Sequence, residues 1–132
     1  MAELHVMGPY QGPNEKKTAE YLASNLPKDW HVVANRKLPD ANNSDVDLWI
    51  LSPTKLFVIE EKSWGPSLVL GDQRWEIIKK NGTSRESANP LNSVSIKAKI
   101  AAGWLRDQIE EYKQVKGLQV LAGVILSHHE LI

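Results

Sequence analysis

The chain has 132 residues, 42% of them hydrophobic and 24% charged, which suits one domain built around one core. Lys and Arg number 16, as do Asp and Glu, so the formal net charge is zero and argues against a module that holds nucleic acid by charge alone. The absence of cysteine excludes disulfides and thiolate metal sites. No apolar run approaches the ~20 residues of a membrane helix, and Met1-Ala2-Glu3-Leu4-His5 lacks the basic and apolar regions of a signal peptide, so a cytoplasmic protein is expected.

Residues 1–12 hold Gly8, Pro9 and Gly12, followed by Pro13, and read as an irregular lead-in. From Asn14 the period turns helical: Ala19, Leu22, Ala23 and Leu26 recur at i, i+3, i+4 and i+7, and Pro27 ends the helix. Glu15 lies four residues before Ala19, on the apolar stripe. It is either a functional acid or a first-turn partner of the helix dipole. Trp30 to Ala34 reads as a strand, and residues 35–45 as a polar, turn-rich connection ending in Asn42-Asn43-Ser44-Asp45.

Two apolar strands follow, Val46-Asp47-Leu48-Trp49-Ile50-Leu51 and Leu56-Phe57-Val58-Ile59-Glu60-Glu61-Lys62, joined by Ser52-Pro53-Thr54-Lys55. Apolar at nearly every position, they read as central strands covered on both faces. Alternation sends Glu60 and Lys62 to one face and Glu61 to the other. Asp47 and Glu60 on adjacent strands would bring two carboxylates together beside an ammonium, a set able to hold Mg²⁺ and hydrolyse a phosphodiester. The same acids also fit solvated strand ends, or half of an ion pair with Lys62.

Ser67 to Leu70 and Arg74 to Ile78 read as a hairpin around Gly71-Asp72, with Asn81-Gly82 at its end and residues 83–88 as a polar loop. Asn89-Pro90 supplies an N-cap and a proline at the first helical position. The helix beyond carries a stripe of Val94, Ala98, Ala101, Leu105, Ile109 and Tyr112, and Lys116-Gly117 closes it. Val120 to Leu126 reads as a last buried strand. The expected fold class is α/β, a mixed central sheet flanked by helices in the order α-β-β-β-hairpin-α-β, forming one domain over residues 1–132. The stop at Leu131-Ile132, soon after the last strand, also fits a fragment of a longer protein.

In order, these residues resemble the nuclease-related domain, a branch of the PD-(D/E)XK nuclease superfamily. Its pattern has a Glu opening the first helix, an Asp starting a strand, a Ser-Pro turn and an apolar strand ending in Ile-Glu-x-Lys. A hairpin with Gly and Trp follows, then Asn-Pro before a long helix. Glu15, Asp47, Ser52-Pro53, Ile59-Glu60-Glu61-Lys62, Gly71 with Trp75, and Asn89-Pro90 are similar, over a span from about Asn14 to Leu126. The chain departs from the pattern at Asn14 and Lys55, where Gly is usual, and at Ser93, where Gln is common.

The resemblance implies a restriction-endonuclease-like core and a metal-dependent nuclease acting on DNA, the choice between DNA and RNA being left open by the sequence. It implies Asp47, Glu60 and the Glu61 backbone carbonyl as ligands of Mg²⁺ or Mn²⁺. Lys62 would orient the attacking water, and Glu15 would support the ion from the helix. Lys97, one turn beyond Ser93, is a candidate substitute for the missing Gln, and otherwise a solvated lysine. Trp64 is a candidate for stacking on a base, or else packs locally. Arg74 is a candidate phosphate contact, as are Arg36, Lys37, Lys79, Lys80 and Arg85; each also suits a solubilising role. The neighbours His128 and His129 are not expected to ligate a metal. A homodimer that cuts both strands, and fusion to or association with a helicase or kinase, are further expectations. Two alternatives stand beside the nuclease: a non-catalytic nucleic-acid-binding or regulatory module, and a protein unrelated to nucleic acid whose acids serve structure.

Overall fold

The apolar pair anticipated at the centre of the chain organises the sheet. In the computed structural model, which describes residues 1–39, 43–108 and 119–128, the strands are β1 (Glu3–Val6), β2 (His31–Ala34), β3 (Leu48–Leu51), β4 (Lys55–Lys62), β5 (Ser67–Val69), β6 (Arg74–Ile78), β7 (Ser84–Ala88) and β8 (Gln119–Leu126). The helices are α1 (Pro13–Asn25) and α2 (Pro90–Gln108). One five-stranded sheet runs β1-β2-β3-β4-β8 and a three-stranded sheet runs β5-β6-β7. In the larger sheet β3 runs antiparallel to both of its neighbours, β2 and β4, whereas β1 joins β2 and β8 joins β4 in parallel.

Strand alternation splits the core in two. Leu48, Ile50 and Ile59 join Val32 and Ala34 under Ala19 and Ala23 of α1. Val58, with Val46 and Leu38, packs against Val94, Ala98 and Ala101 of α2. The helices therefore lie on opposite faces, and β3 and β4 are covered on both sides, as an unbroken apolar run demands. Pro13 opens α1, and the chain leaves it at Leu26, before Pro27. No helix among the described residues is long and apolar enough to cross a membrane.

Four expectations need correction. The lead-in is not irregular: Glu3–Val6 forms an edge strand, tied by Glu3 N–H to the Trp30 carbonyl and by Met7 N–H to the Ala34 carbonyl. Its breakers all follow the strand, and four residues are too few to show a period. The supposed polar loop at 83–88 contains β7, whose mostly exposed residues pair with β6. The three-stranded sheet thus replaces the expected hairpin. Finally, β8 is a half-exposed edge rather than a buried strand, and β3 begins at Leu48, leaving Asp47 at its mouth. Asn42, Ile109, Tyr112, the Lys116-Gly117 stop, His129 and Leu131-Ile132 fall outside the described residues.

The turn motifs have physical work. The Ser52 hydroxyl accepts from Lys55 N–H at 2.9 Å and clamps the β3–β4 turn. At Gly71 a Cβ would stand 2.6 Å from the Arg74 carbonyl oxygen, so the β5–β6 turn admits no side chain there. Asn89 caps α2 by accepting Leu91 N–H at 2.9 Å, while its amide donates to the Asp72 carbonyl at 3.0 Å and the Gly71 carbonyl at 3.3 Å. One side chain thereby fastens the small sheet to the start of α2.

Candidate active site

Where β3 begins and β4 ends, the chain forms a cleft of about 380 Å³ lined by Glu15, Asp45, Asp47, Glu60, Glu61, Lys62, Ser63 and Lys97, with Gln11 to Asn14 at its rim. Glu15, Asp47, Glu60 and Lys62 are thus gathered from α1, the β3 entrance and β4. Five acidic residues face two lysines across this wall, so the site is locally negative although the chain is neutral.

Each group is held by local structure. Asp47 accepts the Glu61 backbone N–H at 2.9 Å through Oδ2, taking the place a further β3 residue would fill in the ladder. In an extended strand the N–H and C=O of one residue face the same neighbour. The Glu61 carbonyl therefore points to the Asp47 side, while the Lys62 carbonyl points to β8 and accepts Ser127 N–H at 2.9 Å. Burial raises the Asp47 pKa, and the adjacent Glu60 carboxyl adds to the rise; the Glu61 N–H and the Lys62 ammonium pull the other way.

Glu15 is 5% exposed, the consequence of lying on the same stripe as the fully buried Ala19. Its Oε2 accepts Gln11 N–H at 3.3 Å, while its buried Oε1 and the buried Asn35 Nδ2 make no well-formed hydrogen bond among the described residues, although the Asn35 amide lies close enough to stabilise the carboxylate. Burial lifts its pKa, followed by the negative charge of Asp47, and the nearby Asn35 amide partly offsets the shift. A buried carboxylate is costly unless a donor such as this amide, a cation or water meets it.

Glu60 is 8% exposed and accepts a 2.6 Å hydrogen bond from the Lys97 ammonium, which also reaches the Asp45 carbonyl. Lys97 is therefore a wall of the cleft, not a solvated lysine. Ser93 turns back into α2, its hydroxyl donating to the Pro90 carbonyl at 3.1 Å. Lys62 lies with its ammonium 5.1 Å from the centre of the Trp64 ring, and Arg85 stands 5.5 Å from the same ring. Trp64 also packs edge-on against Trp75 at 6.2 Å. Arg74 is exposed on the small sheet and is not among the residues lining the cleft.

Glu61 faces the α1 side of the sheet, as alternation requires, yet its side chain still lines the cleft and takes a hydrogen bond from the Ser127 hydroxyl. Sequence reasoning missed Asn35, Asp45, Gln11 and Ser127. The one local signal was Asn35, whose left-handed φ of 59° follows directly on β2 and is a conformation asparagine favours. Gln11 and Asp45 line the cleft, and Ser127 meets Glu61 at its edge, through tertiary contacts that have no sequence period.

A mixed sheet between two helices, with acids and lysines collected where its central strands meet the solvent, defines a restriction-endonuclease-like α/β protein. The family model described as nuclease-related domain matches residues 12–123, and the chain belongs to that family. No curated protein and no solved structure matches the chain at a significant level.

Proposed function

We propose that this chain is a metal-dependent nuclease that hydrolyses phosphodiester bonds in DNA. The observation that carries this reading is the gathering of the Glu15, Asp47 and Glu60 carboxyls with Lys62 in one cleft. Hard carboxylate oxygens in excess over their cations fit Mg²⁺ or Mn²⁺. Asp47, Glu60 and the Glu61 carbonyl would hold the ion, with Glu15 supporting it from α1. When bound, such an ion supplies the positive charge that eases ionisation of water and offsets charge on a phosphoryl oxygen.

The chain's own residues do the rest. Lys62, kept in place by the Trp64 ring, orients the attacking water and faces the charge that develops on the phosphorus substituents. Lys97 balances the Glu60 carboxylate while no ion is bound. Gln11 and Asp45 also line an adjoining groove of about 670 Å³ that includes Arg36 and Lys37, a path for the flanking phosphates. Arg74 lies off that path. A cytoplasmic setting suits a chain without cysteine, and pairing of two chains would let both strands be cut.

The test is cleavage of plasmid and linear DNA with Mg²⁺ or Mn²⁺. Asp47→Ala and Lys62→Ala should each abolish cutting while melting cooperatively. Equal cleavage by the Asp47→Ala protein would assign the activity to a contaminant and end the catalytic reading. A second reading, a nucleic-acid-binding module without catalysis, draws on Ser93 being folded into its own helix at the place where the family pattern commonly has Gln. It requires DNA retention with no cutting under any divalent ion.

A further inference from the structure

Two of the four histidines meet at the opposite end of the sheet from the acidic cleft. Parallel pairing sets Glu3 of β1 directly against His31 of β2, and His5 follows two residues later on the same face of β1. His5 Nε2 lies 3.1 Å from His31 Nδ1; Glu3 Oε2 lies 3.3 Å from that Nδ1 and 3.7 Å from that Nε2. The two rings are stacked, with centroids 5.3 Å apart.

These three separations match the edges of a coordination polyhedron. Ligands about 2.0–2.1 Å from a tetrahedral ion stand roughly 3.3 Å from one another, and each observed distance is within about 0.4 Å of that. A hydrogen bond between the imidazoles and ion-pair contacts to Glu3 link the three groups pairwise, and a single ion would satisfy all three donors at once. Leu4, Val32 and Ala34 point to the α1 side of the sheet, so alternation puts Glu3, His5 and His31 on the other face. There α2 covers Val58 on β4 and packs against β8, and the three donors stay half-buried or exposed, accessible to an ion from solvent.

We propose that Glu3, His5 and His31 form a second metal site, separate from the acidic cleft, for a divalent transition-metal ion of the zinc type. Imidazole nitrogen selects such ions over Mg²⁺, and two His with one carboxylate leave a fourth position open for water or another ligand. Because, among the described residues, β1 joins the sheet through β2 alone, an ion held by both strands fastens the edge strand. The loop after β1 carries Gln11, whose N–H holds Glu15, so the clamp steadies the approach to the cleft.

Calorimetric titration of the metal-free chain with ZnCl₂, in excess Mg²⁺, tests this without any activity readout. One equivalent of zinc should bind, and His5→Ala and His31→Ala should each weaken uptake by more than about tenfold, since even outer-shell losses cost 10–100-fold. Asp47→Asn and His128→Ala/His129→Ala should bind zinc as the wild type does. Should a histidine variant fail to fold, the wild-type chain decides by NMR: zinc must shift the His5 and His31 ring protons together. No uptake, uptake indifferent to both histidines, uptake lost in Asp47→Asn, or unmoved His5 and His31 signals would overturn the assignment.

Discussion

Replacing Lys97 by Met removes one ammonium and keeps most of the aliphatic stem. The Nζ lies 2.6 Å from Glu60 Oε1, and the two side chains are 23% and 11% exposed. At that separation, with an effective dielectric of about 20, the gross attraction is roughly 6 kcal/mol. Desolvation of two partly buried groups and the ordering of a long side chain oppose most of it. A net of about 2 kcal/mol remains, in the range of charge-assisted hydrogen bonds. In EDTA, Lys97→Met should therefore lose ~2 kcal/mol in urea denaturation, a Tm drop on the order of 8 °C at this chain length. In a double-mutant cycle with Glu60→Gln, the coupling should be about 1–2 kcal/mol. The ammonium also competes with any cation for Glu60. Without it, Mg²⁺ should bind about tenfold more tightly by calorimetry, the equivalent of ~1.4 kcal/mol, and Mg²⁺ should restore much of the lost stability. A Lys97→Met protein as stable as the wild type in EDTA, or one that binds Mg²⁺ more weakly, would refute the reasoning.

The raised carboxyls set a pH dependence with a definite sign. Asp47 and Glu15 hold their protons more tightly folded than unfolded, so the metal-free fold loses stability as pH rises from the ordinary carboxylate range, about pH 4, through their raised values. Asp47→Asn keeps an oxygen to accept the Glu61 N–H but carries no charge. In EDTA it should gain on the wild type as pH goes from about 4 to 7, and equal or trail it below about pH 4, as read by thermal melts across that range; a pH-independent difference would contradict the burial argument. Asn89→Ala removes the α2 cap and two hydrogen bonds to the β5–β6 turn. Denaturation should show a loss of about 2–3 kcal/mol with Mg²⁺ uptake unchanged, and a loss under about 0.5 kcal/mol would show that the small sheet does not lean on this residue.

The parts of the fold legible in the sequence are those where one periodicity dominates. Burial on both faces makes β3 and β4 apolar throughout, and the α1 stripe through Ala19 and Ala23 carries Glu15 inward with it. The four residues expected to meet did so because each is bound to such a signal: Glu15 to a helical stripe, Asp47 and Glu60 to paired strands, Lys62 to alternation. What stayed hidden was made by pairing alone. β7 has no apolar face, and β1 is a four-residue edge whose register with β2 has no local signature. That blindness had a chemical consequence. Glu3-Leu4-His5 shows the i, i+2 spacing that puts two donors on one face of a strand, but only if the segment is a strand, and only β2 makes it one. Lys97 went the same way: two turns into a helix it looks solvated, and its role is set by where the end of β4 lies across the sheet. The two metal proposals thus differ in their warrant. The acidic cleft stands on strands that the sequence specifies twice, by pattern and by motif, whereas the Glu3, His5 and His31 cluster stands on tertiary register alone. A zinc titration that fails would leave the cleft untouched, and loss of Mg²⁺ uptake in Asp47→Asn would leave the histidine cluster untouched.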